Sequence, residues 1–344
     1  MVPLRRLFLP CLLAMLAAGC LSRGAREEAR LFTLKDIRGD DHGDGSLRYP
    51  LREDMGPGAL DLLSLEAHAE GGGTRFEATF ARPIARPQAG RAVDAVGTSQ
   101  KDLARHGFYT FNLDMYVDTD GAEGSGRTDT LPGRNLQLAP ASAWEKAVVL
   151  TPRPHEARDL LRKLWREQAR EAWRKEKGAL GEPEARTLEA QVDRALEERV
   201  FFPTRIHVTG PTVSFFVPEG FFGGPAKGAW GYAVAVTGAE LDIKVSLPAF
   251  LGGVAPPQRG LMVLEIQPGD SRERFGGGRS GDPRQSPVVD LLVPEGVTQE
   301  QVLAASAPPW PAVVPAPASP PALPQAPDAG GPGGQGDAPG PRAP

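Results

Sequence analysis

The sequence predicts a mostly β fold, an antiparallel β-sandwich with an inserted helical hairpin, on three observations. The 344 residues include 41 glycines and 35 prolines, too many breakers for a mostly helical chain. Apolar residues alternate along many short runs rich in Val, Ile, Phe and Tyr, most of them bounded by Gly or Pro, the pattern of half-buried strands joined by turns. No helical pattern of 10–15 residues alternates with these strands, which excludes a doubly wound parallel sheet.

From the N-terminus, Arg5 and Arg6 precede an apolar run, Leu7 to Leu16, too short to span a bilayer as a stable helix. Ala17-Ala18-Gly19-Cys20 follows. This is similar to the lipobox of bacterial lipoproteins, with Ala17 where leucine is commoner, and it implies a signal peptide over 1–19 and a lipid anchor on Cys20. An ordinary cleaved signal with an incidental cysteine is the alternative. Leu21 lacks the aspartate that retains some lipoproteins in the inner membrane, so the expected place is the cell envelope, the outer membrane ahead of the inner. Cys11 leaves with the signal, so the mature chain is expected to have no disulfide. Residues 20–30 are polar and read as a tether.

The globular part is expected over 31–306. "TRFEATF" puts Phe76, Ala78 and Phe80 on one strand face. "FYTFNLDMYVD" puts Phe111, Leu113, Met115 and Val117 on one face and Asn112, Asp114 and Tyr116 on the other. "KAVVL", "RIHVTG", "TVSFFVP", "GYAVAVTG" and "MVLEIQ" are further strand-like runs. Between "AWEKAVVL" and "FFPTRIHVTG", residues 154–199 change period. Leu161, Leu164 and Trp165 share one helical face, and Leu188, Val192, Ala195 and Leu196 share another. Gly178 to Pro183 makes the turn between them. Trp165 and Trp173 lie near one face of the first helix; they either pack the hairpin on the body or form a stripe for a partner. The hairpin is expected to be a self-contained insertion between strands that pair in its absence. Residues 307–344 hold 13 prolines and are otherwise mostly alanine and glycine, a composition that cannot offset its ordering entropy, so a disordered tail is expected.

A net charge of −4 excludes a typical nucleic-acid binder, which needs a basic surface. No HExxH, GxSxG or phosphate-binding loop is present. The five histidines are scattered without paired ligand spacing, and Glu219, Glu240 and Asp242 are not set apart from surface carboxylates. A non-enzyme is expected.

Seven blocks occur in order: "DIRGDDHGDGSLRYP", "PGALDLLSLEAH", "FNLDMYVDTDGAEGSGRTDTLPGRN", "AWEKAVVL", "WGYAVAVTG", "RFGGG" and "VVDLLVPEGVTQEQVL". Together they resemble the C-terminal, carbohydrate-binding-module-like domain of bacterial glucodextranase, over Lys35 to about Leu303. The chain departs from that pattern at Ile37 and Asp44, where proline is usual, and in the length of its hairpin. The resemblance implies a sandwich similar to family-nine carbohydrate-binding modules. It also implies binding of an α-glucan or envelope polysaccharide without a catalytic glycosidase domain, and structural calcium in the opening acidic block. There Asp36, Asp40 and Asp41 are the candidate ligands, with Asp44 a further possibility; the alternative is a set of turns capped by aspartates. A second cluster, Asp118 and Asp120 with Asp129, is a weaker candidate. Sugar binding needs exposed rings, and Trp230, Trp144, Tyr109 and Tyr116 are the candidates, with Tyr49 beside them. The competing function is a structural or adaptor protein of the envelope that binds a protein partner through the hairpin.

Overall fold

The structure, a computed structural model, describes residues 29–93, 97–241, 260–279, 285–294 and 296–304 and a two-residue strand at 312–313. The expected signal peptide, Cys20 and most of the tether and the tail lie outside these residues.

Two five-stranded sheets face each other. The first holds β1 (Arg30–Lys35), β2 (Leu62–Glu70), β3 (Gly73–Phe80), β9 (Thr212–Pro218) and β8 (Ile206–Thr209), in that order and antiparallel throughout. The second holds β11 (Val288–Leu291), β10 (Gly231–Gly238), β4 (Phe111–Asp118), β6 (Lys146–Leu150) and β7 (Val200–Phe201). It is antiparallel except for its last pair, β6 with β7. This is the mostly β sandwich that the alternation predicts. Phe76, Ala78 and Phe80 of β3 meet Phe111, Leu113, Met115 and Val117 of β4 in the core between the sheets.

The second sheet is buried on its outer face as well. Every residue of β4 is buried. Tyr116, Ala147, Val149, Ala233 and Ala235 face a second core, closed by Leu131, Leu136, Trp144, Leu261 and the helical hairpin. Polar residues on that face find partners within it, although Asn112 Oδ1 has none. Asp114 takes two bonds from the guanidinium of Arg134, at 2.5 and 3.1 Å, both side chains being almost fully buried. Asn112 donates to the Met262 carbonyl at 3.0 Å.

The hairpin consists of α2 (Pro154–Lys177) and α3 (Glu182–Arg199), following a short α1 (Gln100–Leu103). Its bounds match the change of period in the sequence. Its role differs from the expectation of a self-contained insertion. Ala157, Leu161, Trp165 and Leu196 belong to the second core. The hairpin is also the crossover that lets β7 return parallel to β6, with Ala147 opposite Val200, a connection that needs a dozen residues or more. Trp165 therefore packs, its ring 4.8 Å from the Arg127 guanidinium, which also covers Trp144. Trp173 lies beyond the second core, under Lys177.

After β9, α4 (Glu219–Phe222) leads toward β10. Past β11, α5 (Gln299–Leu303) begins with a capping box between Thr298 and Gln301. The segment expected to be a disordered tail contains β12 (Ala312–Val313), which pairs in parallel with β5 (Gln137–Leu138). The ordered module thus reaches past the expected boundary at 306, through a short apolar stretch set among prolines.

Candidate functional site

Four aspartates meet where the two sheets are joined. Asp36 directly follows β1, and its backbone N–H still donates to the Leu63 carbonyl of β2. The chain then loops through Gly39 and Gly43, both with positive φ. A Cβ on Gly43 would lie 2.9 Å from the Val288 carbonyl and closer still to Leu47, so the loop can seat against β11 only with glycine there. This brings Asp40 inside. Asp61 stands directly before β2, and Asp290 sits within β11. Asp36, Asp40 and Asp290 each place a carboxylate oxygen within 4.8 Å of the others. Asp61 adds a fourth charge close enough to act on both Asp36 and Asp40.

One oxygen on three of these groups is held by backbone. Ile37 N–H donates to Asp36 at 2.9 Å, Gly39 N–H to Asp61 at 2.9 Å, and Leu62 N–H to Asp290 at 2.5 Å. The Leu62 bond ties the first sheet to the second. Four of the other oxygens, Asp36 Oδ2, Asp40 Oδ1, Asp61 Oδ1 and Asp290 Oδ1, are buried and have no hydrogen-bond partner. Asp290 is 1 % exposed and Asp61 2 %. Burial pushes the Asp36 carboxyl up to about 7, helped by the charges of Asp40 and Asp61. Burial and the charge of Asp61 push Asp40 up to about 6. Asp61 and Asp290 are raised as well, by burial first and then by neighbouring aspartates. Three such oxygens close together, on Asp36, Asp40 and Asp290, with the Asp61 charge nearby, fit a hard divalent cation such as calcium, which takes oxygen ligands in a flexible shell.

Of the three expected ligands, Asp36 and Asp40 are in this group. Asp41 is not: its Oδ2 accepts from the Tyr49 hydroxyl and from Gly58 N–H at 2.7 Å, so it pins the loop after β1 to the loop before β2. Asp44 accepts from Ser46 and faces Arg279 at 3.1 Å. Asp61 and Asp290 escaped the sequence reading, which sought acids close together in the chain. The available signal was chemical: "VVDLL" sets one carboxylate in an otherwise apolar strand, where a charge needs a partner. In the second acidic cluster Glu145 stands with Asp118 and Asp120, while Asp129 pairs with Arg127. Asp118 accepts from Gly121 N–H at 2.7 Å, Asp120 from Ala122 N–H, and Glu145 from Thr119 and Ser125. Every one of these carboxylates has its donors, as in an ordinary aspartate-capped turn.

The ring candidates also separate. Trp144, Tyr109 and Tyr116 are buried, which corrects their assignment as sugar platforms: a ring with both faces packed cannot stack on a pyranose. Trp144 lies in the second core with its Nε1–H donating to the Asp129 carbonyl. Tyr116 lies there too because the outer face of β4 is covered. Tyr109 packs in a small cluster with Ala104 and Leu241, and its hydroxyl donates to Asp54. Tyr49 packs on Phe275 with ring centres 5.6 Å apart. Trp230 alone among the four keeps partial exposure. It lies just before β10, its ring centre 5.5 Å from that of Phe222 and the Lys227 ammonium 5.5 Å away. Phe222 in turn touches Phe221, and Phe221 touches Phe201 and lies under Lys146. Phe201, Phe221 and Trp230 are half-buried along one rim of the sandwich. A shallow concavity of about 300 Å³ along α2 is lined by Arg162, Arg166 and Arg170, whose guanidinium groups meet Asp193 and Glu189 of α3.

The sandwich thus carries a rim of partly exposed rings and an acidic seam between its sheets. The chain matches the family model of the C-terminal, SLH-like binding module of glucodextranase over residues 31–314, and it belongs to that family. The match ends just beyond β12, in agreement with the ordered strand there. No curated protein matched the chain. Among the described residues no helix is long and apolar enough to cross a membrane.

Proposed function

We propose that this protein is a non-catalytic, lipid-anchored protein of the cell envelope whose module binds an α-glucan or envelope polysaccharide at the rim containing Trp230. The observation that carries this reading is the rim itself: Trp230 and Phe221 present partly exposed rings beside the Lys227 and Lys146 ammonium groups. Rings supply stacking surface and the cations supply hydrogen-bond donors for hydroxyls. The proposed anchor, Cys20, precedes β1 by ten residues, enough for a short tether between a membrane surface and the module. Calcium is proposed at Asp36, Asp40, Asp61 and Asp290 in a structural role, because the group links the two sheets and lies apart from the rim in the chain.

The test is a glycan array probed with the purified chain, followed by affinity electrophoresis of wild type and Trp230→Ala in gels containing the polysaccharides that score. The reading expects retardation of wild type that Trp230→Ala loses while the variant still unfolds cooperatively, at a lower temperature because Trp230 packs on Phe222. Binding that survives Trp230→Ala would move the site elsewhere. The absence of any glycan ligand would favour the adaptor reading, for which the distal half of the hairpin, beyond Trp165, is the contact surface because it buries no side chain against the body.

A further inference from the structure

On the outer face of the first sheet, apart from both sites above, Glu66, His68 and Glu77 turn three ligand atoms toward one point. The strand alternation puts them there: Leu65, Ala67, Phe76 and Ala78 point into the core, so their neighbours point outward. The register sets Glu66 of β2 directly opposite Glu77 of β3, with His68 opposite Arg75. Two like charges directly opposite each other destabilise a strand pair unless something lies between them.

What lies between them is His68 Nε2. It is 3.3 Å from Glu66 Oε2 and 3.6 Å from Glu77 Oε2. Nε2 itself is buried and has no hydrogen-bond partner, and the His68 side chain is 14 % exposed. The three ligand atoms lie within 4.8 Å of one another. Around a tetrahedral zinc ion with bonds of about 2.0–2.1 Å, neighbouring ligand atoms stand roughly 3.3–3.4 Å apart; the two measured separations fall near that edge. Of the flanking arginines, Arg30 shares Glu66 Oε2 and would have to give it up to an ion. Arg75 holds the other oxygen of Glu77 and reaches Glu70, and Arg30 stands 3.6 Å from Glu66 Oε2.

We propose that Glu66, His68 and Glu77 form a site for a borderline divalent transition ion, zinc being the representative. The site has three protein ligands and one open position. One imidazole and two carboxylates suit such an ion, whereas the all-oxygen aspartate group suits calcium, so the two sites select different metals. The proposal goes beyond the glycan reading and does not depend on it.

The experiment is equilibrium dialysis of the protein in detergent against Zn²⁺ in millimolar Ca²⁺, with any free thiol alkylated first. One saturable equivalent of zinc is expected. His68→Gln and Glu77→Gln should each weaken it at least tenfold, and His155→Gln should leave it unchanged. Co²⁺ in place of zinc should give the visible absorption of a tetrahedral centre in wild type and lose it in His68→Gln. His68 and Glu77 lie on the outer face of the first sheet and His155 at the start of α2, and melting temperatures of the metal-free variants report whether each folds. No saturable equivalent in wild type, or an equivalent unchanged in both His68→Gln and Glu77→Gln, would overturn the proposal and leave the three residues as an ion-pair lattice on the sheet surface.

Discussion

Free of any divalent ion, the protein should become less stable as the solution becomes less acidic, against the usual trend for paired carboxylates. In the cation-free fold the Asp36 carboxyl is pushed up to about 7 from its ordinary 3.8. The folded state therefore keeps a proton that the unfolded chain releases. The stabilisation is complete below about pH 4 and is lost as pH rises through 7. For Asp36 alone the difference is worth about 4 kcal/mol between those limits. In a protein of this size that corresponds to a fall of roughly 10 °C in melting temperature. Asp40, Asp61 and Asp290 act in the same direction. A bound cation reverses the slope, since it favours the ionised carboxylates and is displaced only as they protonate. The assay is thermal unfolding at pH 5 and pH 7.5, of protein dialysed free of calcium and of the same protein in millimolar calcium. The cation-free protein should melt lower at pH 7.5 than at pH 5, and calcium should raise the pH 7.5 value by several degrees while changing the pH 5 value less. Asp290→Asn keeps the acceptor for Leu62 N–H and removes one charge, so it should stabilise the cation-free protein at pH 7.5 and blunt the calcium response. The reasoning is refuted if calcium-free protein is as stable at pH 7.5 as at pH 5 and calcium changes neither value.

Three further outcomes are expected. Arg134→Met should cost about 3–5 kcal/mol in urea unfolding, because it leaves the Asp114 carboxylate buried without its partner; Arg134→Met with Asp114→Leu should recover most of the loss. Replacing residues 154–199 by a short Gly/Ser linker should give aggregated or unfolded protein by circular dichroism and gel filtration, since the hairpin both closes the second core and spans the parallel return from β6 to β7. Cys20→Ser should move the protein from the detergent phase to the aqueous phase in partitioning, and equal partitioning of wild type and variant would end the proposal of a lipid anchor.

The fold was legible where one sheet face decides the pattern. Alternation in "TRFEATF" and "FYTFNLDMYVD" placed Phe76, Phe80, Phe111, Leu113, Met115 and Val117 in the core, and the change of period placed the hairpin at its observed bounds. What periodicity could not show is whether the other face of a strand meets water or a second layer. Asn112, Asp114 and Tyr116 fall on the face opposite that core, and hairpin and loops cover it, so an apparent sugar platform is a core residue. The site was half legible for a related reason. Asp36 and Asp40 are neighbours in the chain, while Asp61 and Asp290 reach them only through strand pairing and the Leu62 bond to Asp290. Proximity in sequence drew in Asp41 instead, whose carboxylate serves Tyr49 and Gly58.

The bond from Leu62 N–H to Asp290 has a consequence in time. Asp290 leaves the ribosome about 230 residues after Asp61, which at roughly 5–20 residues per second is on the order of 10–50 s. During that interval Asp36, Asp40 and Asp61 exist without their fourth member, and β2 lacks its tie to the opposite sheet. The acidic seam thus cannot close before β11 has been made, and only α5 and the pairing of β12 with β5 follow it. A nascent chain stays open at this seam until β11 arrives, and a truncation before Asp290 would yield a first sheet with no second sheet fastened to its acidic end.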